Sequence, residues 1–131
     1  ANVMRDGGDV TIISYGMLVE RAIAAAELLA ADGIDARVLN MATIRPLDVD
    51  ALEAAARETG AIVVAEEHLT HSGLGAMAAQ ALASRQPVPM EFVGIEDRYG
   101  ESGTWYEVLE IMGLTVSNIV AATKRAVARK A

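Results

Sequence analysis

The side chains best suited to chemistry in this 131-residue protein are concentrated in one segment, EEHLTHSGLG, at positions 66–75. The segment contains the adjacent carboxylates Glu66 and Glu67 and both histidines of the chain, His68 and His71. Groups of these types can coordinate a metal ion or act as general acid and base. The glycines that follow are also typical of loops that hold a phosphate. The order and spacing of the residues favour some of these chemistries over others.

The histidine spacing disfavours a metal site. His68 and His71 are three residues apart, which would bring their side chains to one face only in a helix, and a loop is predicted here. The zinc-protease signature places a glutamate between two histidines, whereas both glutamates of this segment precede the histidines. A native metal site is therefore not expected, and added zinc should bind weakly and without structural effect.

The second half of the segment matches the pattern G-x-G-x-x-A over residues 73–78, between a predicted strand and a predicted helix. The connection is longer than in the dinucleotide-binding fingerprint, and Glu66 and Glu67 would place two negative charges beside a bound phosphate. A structural turn is favoured, in which Gly73 and Gly75 allow close contact between helix and sheet. Anion binding at the helix N-terminus is the alternative.

Acid–base catalysis by the carboxylate pair is also disfavoured, although His68 and the two glutamates have suitable groups. Adjacent residues at the end of a strand point to opposite sides of the sheet. Glu66 and Glu67 are therefore not expected to act together as one catalytic dyad.

Composition rules out several classes of function. The net charge of −7 disfavours nucleic acid or an anionic membrane as the main partner. There is no cysteine, which excludes disulfides and thiolate metal sites. No apolar run approaches the length of about 20 residues that a membrane-spanning helix needs. The expectation is a cytoplasmic protein, with residues 1–131 forming one domain.

Short β-rich runs alternate with helical segments along the chain. Strands are predicted at residues 10–14, 36–40, 61–65 and 90–94, and residues 1–5 can add an edge strand. Helices are predicted from Leu18 to about residue 31, at 49–59 between Asp48 as N-cap and Gly60, from Ala76 to about Ser84, from Trp105 to Gly113, and at 116–129. This alternation indicates parallel βαβ units, and so an α/β fold with three layers, an α/β/α sandwich.

Six segments, in order, resemble one family. They are GGDVTIISYG, ERAIAAAELLAADGIDARVLN, IRPLD, VVAEEH, SGLG and RYGESGTWYEVLEIMGLTVSNIV. Together they resemble the C-terminal domain of the transketolase-type thiamine-diphosphate enzymes, and the last segment is most similar to transketolase, particularly the form split into two polypeptides. The same superfamily includes deoxyxylulose-phosphate synthase and the β subunits of 2-oxoacid dehydrogenase E1, which are the alternatives. Ser72 departs from the pattern, because a second glycine is common there.

The resemblance implies a five-stranded mixed sheet of order 1-3-2-4-5 with strand 1 antiparallel. In open α/β sheets, ligands bind beyond the carboxyl ends of the strands where the strand order reverses. The crevice expected at this switch point would be lined by Ser14, Tyr15, Gly16, Glu66, Glu67, His68, His71, Ser72, Gly73 and Gly75. The candidate interface residues are Arg45, Arg98, Tyr99 and Trp105.

The resemblance also implies a parent enzyme that transfers a two-carbon ketol unit between sugar phosphates, as in the pentose phosphate pathway. This chain would be its structural and assembly domain, a fragment that is inactive alone and packs on the other domains or on an N-terminal subunit, within a homodimer. Thiamine diphosphate and Mg²⁺ would bind elsewhere in the parent, since the Gly-Asp-Gly and Asn motif that holds them is missing from this sequence. A stand-alone nucleotide-binding or interaction module of the same fold is the rival from another class.

Overall fold

The structure is a computed structural model that describes residues 1–16, 18–41, 47–66, 73–94 and 105–130, with backbone alone for residues 105–115. This part of the chain contains five strands and four helices, which alternate from the second strand onward. They are β1 (Asn2–Arg5), β2 (Val10–Ser14), α1 (Leu18–Ala31), β3 (Ala36–Asn40), α2 (Val49–Thr59), β4 (Ile62–Glu66), α3 (Leu74–Arg85), β5 (Met90–Gly94) and α4 (Trp105–Ala128).

The sheet has the order β1-β3-β2-β4-β5. β1 pairs with β3 antiparallel, and every other pairing is parallel. The predicted strand order and the antiparallel first strand are therefore confirmed. From β2 the chain crosses to β3 on one side, and then returns past β2 to β4 on the other. The switch point of the sheet accordingly lies between β2 and β4.

Two apolar layers hold the helices on the sheet, because strand residues alternate between its faces. One face of β2, carrying Val10 and Ile12, packs in a cluster with Ala22 of α1 and Ile119 of α4. The other face, carrying Ile13, packs with α2 and α3. On that second face the Thr11 and Thr59 hydroxyls form a buried hydrogen bond of 2.8 Å. The three-layer sandwich expected from the sequence is confirmed.

The second helix begins and ends where its sequence predicts. The Ala51 backbone N–H donates to Asp48 Oδ1 at 3.1 Å, which satisfies one of the unpaired donors at the helix start. Gly60 ends the helix in the left-handed region, with φ of 77°, and its N–H donates to the Ala56 carbonyl. A residue without Cβ adopts this conformation at little cost.

The C-terminal part of the chain differs from its prediction. A helix ending at Gly113 and a second from about residue 116 were expected, but α4 is one helix of 24 residues from Trp105 to Ala128. An interior glycine costs a helix only about 1 kcal/mol relative to alanine. Burial of Ile119, Ala122 and Ala126 against the sheet and α1 offsets more than this, and no proline interrupts the segment.

Candidate switch-point site

The switch point brings the ends of two central strands side by side. β2 ends at Ser14, β4 ends at Glu66, and the strands pair in parallel through Ile13 and Val64. Tyr15 and Gly16 follow Ser14, and Gly16 makes a turn with φ of 63° before α1. The carboxyl ends of these two central strands therefore bring together Ser14, Tyr15, Gly16 and Glu66, as expected. Whether this end of the sheet binds a ligand stays a prediction.

The Glu66 carboxylate caps the N-terminus of α3. Its side chain is only 1% exposed. The Leu74 backbone N–H donates to Oε2 at 2.7 Å, and the Gly75 N–H donates to Oε1 at 3.2 Å. A carboxylate is favourable here because the first N–H groups of a helix have no partner within the helix and carry partial positive charge. The position where a phosphate would have bound is thus filled by a carboxylate of the protein.

This arrangement also explains why α3 begins at Leu74 rather than near Ala76. The strand supplies the acceptors for the first turn of the helix, so the helix extends through Gly75. The two glycines are needed for contact: a Cβ on Gly73 would collide with Glu66 Oε2, and one on Gly75 would lie 2.9 Å from Phe92 Cδ1. Close approach of helix and sheet, the structural interpretation of the glycines, is confirmed.

Three buried polar side-chain atoms have no hydrogen-bond partner within the described part of the chain. They are Ser14 Oγ, Arg21 Nη1 and Asn40 Oδ1. Ser14 and Asn40 are paired in register as the last residues of β2 and β3. Buried polar atoms are usually satisfied by protein or by ordered water. Sequence reasoning named Ser14 and missed the other two, although an arginine within the alanine-rich face of α1 was a visible signal.

The structure describes only some of the other predicted site and interface residues. Tyr15 is half-buried and packs against the cluster formed with α2 and α3. Trp105 is the first residue of α4, with its side chain not described. The remaining predicted site and interface residues lie outside the described residues: Arg45, Glu67, His68, His71, Ser72, Arg98 and Tyr99.

The chain matches the family model for the C-terminal domain of transketolase over residues 1–119. It belongs to the transketolase C-terminal domain family. A sulfosugar enzyme, the 6-deoxy-6-sulfo-D-fructose transketolase subunit SqwH of Clostridium sp. (strain MSTE9), is 44% identical to it over 130 residues. One of the subunits of the apulose-4-phosphate transketolase of Phocaeicola vulgatus is 43% identical over 119 residues. These alignments cover 99% and 91% of the chain.

A solved structure has the same architecture as this transketolase domain. A split-gene transketolase, solved as an inactive tetramer of four β subunits, superimposes with a TM-score of 0.89 at 43% identity and covers 99% of the chain. The chain spans only 40% and 38% of the two relatives and 43% of that solved chain. It therefore corresponds to one part of each of these longer proteins.

Membership in this family implies thiamine diphosphate in the parent enzyme. Within the described residues, no group of three histidine, cysteine, aspartate or glutamate side chains is placed to hold a metal ion. The buried carboxylate at the switch point, Glu66, accepts hydrogen bonds from helix α3. None of the helices in the described part is long and apolar enough to cross a membrane.

Proposed function

We propose that this chain is the C-terminal domain of a cytoplasmic transketolase, in which it contributes to assembly and not to chemistry. The enzyme would transfer a two-carbon ketol unit between phosphorylated or otherwise anionic sugars. The observation that carries the proposal is the buried Glu66 carboxylate on the N-terminus of α3. It occupies, at the switch point of the sheet, the helix end at which α/β domains commonly bind anionic ligands.

The domain is proposed to act through its contacts with the rest of the enzyme. Its partner would be either the preceding domains of one polypeptide or a separate N-terminal subunit, and the complete enzyme would be a homodimer. Support comes from the names of the two relatives, both of which are subunits of transketolases. The edge strand β1 also exposes apolar side chains, Val3 at 58% and Met4 at 47%. Thiamine diphosphate and Mg²⁺ would be bound by the partner.

The activity of the complete enzyme tests this proposal. With thiamine diphosphate and Mg²⁺, it should transfer a ketol unit from xylulose 5-phosphate, or from 6-deoxy-6-sulfofructose, to an aldose phosphate, as followed by chromatography of the products. The 131-residue chain alone should be inactive. Decarboxylation of pyruvate by the complete enzyme, without ketol transfer, would contradict the proposal and favour a dehydrogenase or deoxyxylulose-phosphate synthase. Tight nucleotide binding by the chain alone would favour the stand-alone module.

A further inference from the structure

Strand β5 is an edge of the sheet whose outer side faces no other described strand. The Pro89 carbonyl accepts a hydrogen bond from the Ile62 N–H of β4. Pro89 therefore directs its backbone groups inward, toward β4, and the alternate residues Glu91 and Val93 do the same. Met90, Phe92 and Gly94 therefore direct their N–H and C=O groups outward. Exposed edges of this kind pair readily with another strand, and proteins usually protect them.

Only the first half of this edge is protected within the described structure. Arg129 of α4 donates from Nη1 to the outward Met90 carbonyl at 2.9 Å. No hydrogen bond from a described residue reaches the outward groups of Phe92 and Gly94. Phe92 is also 39% exposed, which is unusual for a phenylalanine in a central position of a strand.

The half of the edge that no described residue protects borders a cleft of about 180 Å³ between the strand and α4. We call it the β5 cleft, and it is lined by Phe92, Val93, Gly94, Asn118, Ala121 and Arg125. In this cleft Gly94 offers backbone without a side chain and Ala121 offers apolar surface, while the exposed Phe92 side chain points to the opposite face of the sheet, toward Gly75 of α3. An extended peptide fits such a surface, because it can satisfy outward backbone groups and bury alternate side chains at the same time.

Among the described residues, the charged side chains at and beside the β5 cleft carry a net positive charge, although the protein is acidic overall. Glu91 is shared by two arginines, with Oε1 at 2.9 Å from Arg125 Nε and Oε2 at 2.7 Å from Arg129 Nη1. Arg125, followed by Arg129, holds the pKa of Glu91 below its usual value, against the opposing effect of partial burial. One carboxylate thus faces two guanidinium groups, whose side chains are still 58% and 55% exposed.

We propose that the β5 cleft binds an extended acidic segment of another polypeptide, which adds to the sheet beside β5 and places a carboxylate against Arg125. A second copy of this chain fits less well. The only carboxylate on its own β5 is Glu91, which its own arginines already share. The proposal does not depend on ketol transfer.

The test uses two capped probe peptides, Val-Glu-Val-Glu-Val and Val-Lys-Val-Lys-Val, titrated into the protein and followed by amide NMR shifts. The acidic probe should bind at least about 10-fold more tightly than the lysine probe, with the largest shifts at Phe92 and Gly94. Arg125→Glu should abolish or reverse this preference. Lys124→Glu is the matched control, because Lys124 pairs with Asp32 of α1 at 2.9 Å and does not line the β5 cleft.

Gly94→Pro tests strand addition separately from charge. Proline removes the outward N–H of residue 94 and leaves the bonds between β4 and β5, so acidic-probe binding should be lost while circular dichroism is unchanged. The proposal is overturned if the probes bind equally or not at all at millimolar concentration, or if shifts fall away from β5. It is also overturned if sedimentation shows a dimer that Arg125→Glu dissociates, because a second copy would then be the occupant.

Discussion

Glu66→Ala is expected to lower the free energy of unfolding by about 4 kcal/mol. The substitution removes a carboxylate that accepts from the Leu74 and Gly75 N–H groups and leaves both donors buried. An unsatisfied buried polar group costs about 1–3 kcal/mol, and hydrogen bonds to a charged group are stronger than neutral ones. Glu66→Gln keeps the shape and one good acceptor, and should cost about half as much. Urea denaturation monitored by circular dichroism measures both values.

Glu27→Ala is the matched control, because Glu27 is an exposed glutamate on the surface of α1. Its effect should stay within about 0.5 kcal/mol. Amide hydrogen exchange adds a local measurement: Leu74 and Gly75 should lose protection in Glu66→Ala beyond what the global loss of stability explains. If Glu66→Ala costs no more than Glu27→Ala, Glu66 does not hold the start of α3.

Gly7→Ala is expected to destabilise the protein by about 3 kcal/mol, at the upper end of the range for overpacking in a well-packed region. A Cβ at Gly7 would lie 2.5 Å from the Ala36 carbonyl carbon and 2.7 Å from the Arg37 nitrogen. Both contacts are with the backbone of β3, which cannot rotate away as a side chain would. The turn is also tied down, since Arg37 Nε donates to the Gly7 carbonyl at 3.2 Å.

The neighbouring glycine provides the control for this substitution. A Cβ at Gly8 would meet no atom within 4 Å, so Gly8→Ala should change the melting temperature by little. Calorimetry of the two variants under identical conditions compares them directly. Equal melting temperatures for Gly7→Ala and Gly8→Ala would show that the turn before β2 relaxes to accept a side chain.

Local features of the fold were predictable from residue types. The apolar run before Glu66 predicts a strand covered on both faces, and Asp48 and Gly60 mark the ends of α2 by their capping chemistry. The strand order was not derivable in this way, because it depends on which strands meet in space. It came from the resemblance to a family, and the structure confirms it.

The candidate site was harder to predict because its key interaction joins two elements. In the sequence, Glu66 is one of two adjacent carboxylates, and nothing local shows that it is the one that turns toward α3. The structure shows that α3 starts within reach of the end of β4, so Glu66 caps a helix that begins eight positions later in the chain. Gly113 was misjudged for a related reason: packing of the second half of α4 on the sheet outweighs the local helix-breaking tendency.

The measurement that most directly tests the assembly role is made on the complete enzyme with Trp105→Ala, and with Trp105→Phe as its control. Trp105 begins α4 and is a candidate interface residue, with packing on the body of its own domain as the alternative. Loss of a central aromatic anchor commonly costs about 2 kcal/mol, which raises the dissociation constant of the assembled enzyme about 30-fold. The assembly account predicts this rise, a smaller one for Trp105→Phe, and turnover of the fully assembled enzyme within about 3-fold of the wild type. An unchanged dissociation constant together with a fall in turnover of about 100-fold, equivalent to about 2.7 kcal/mol of activation barrier, would contradict it.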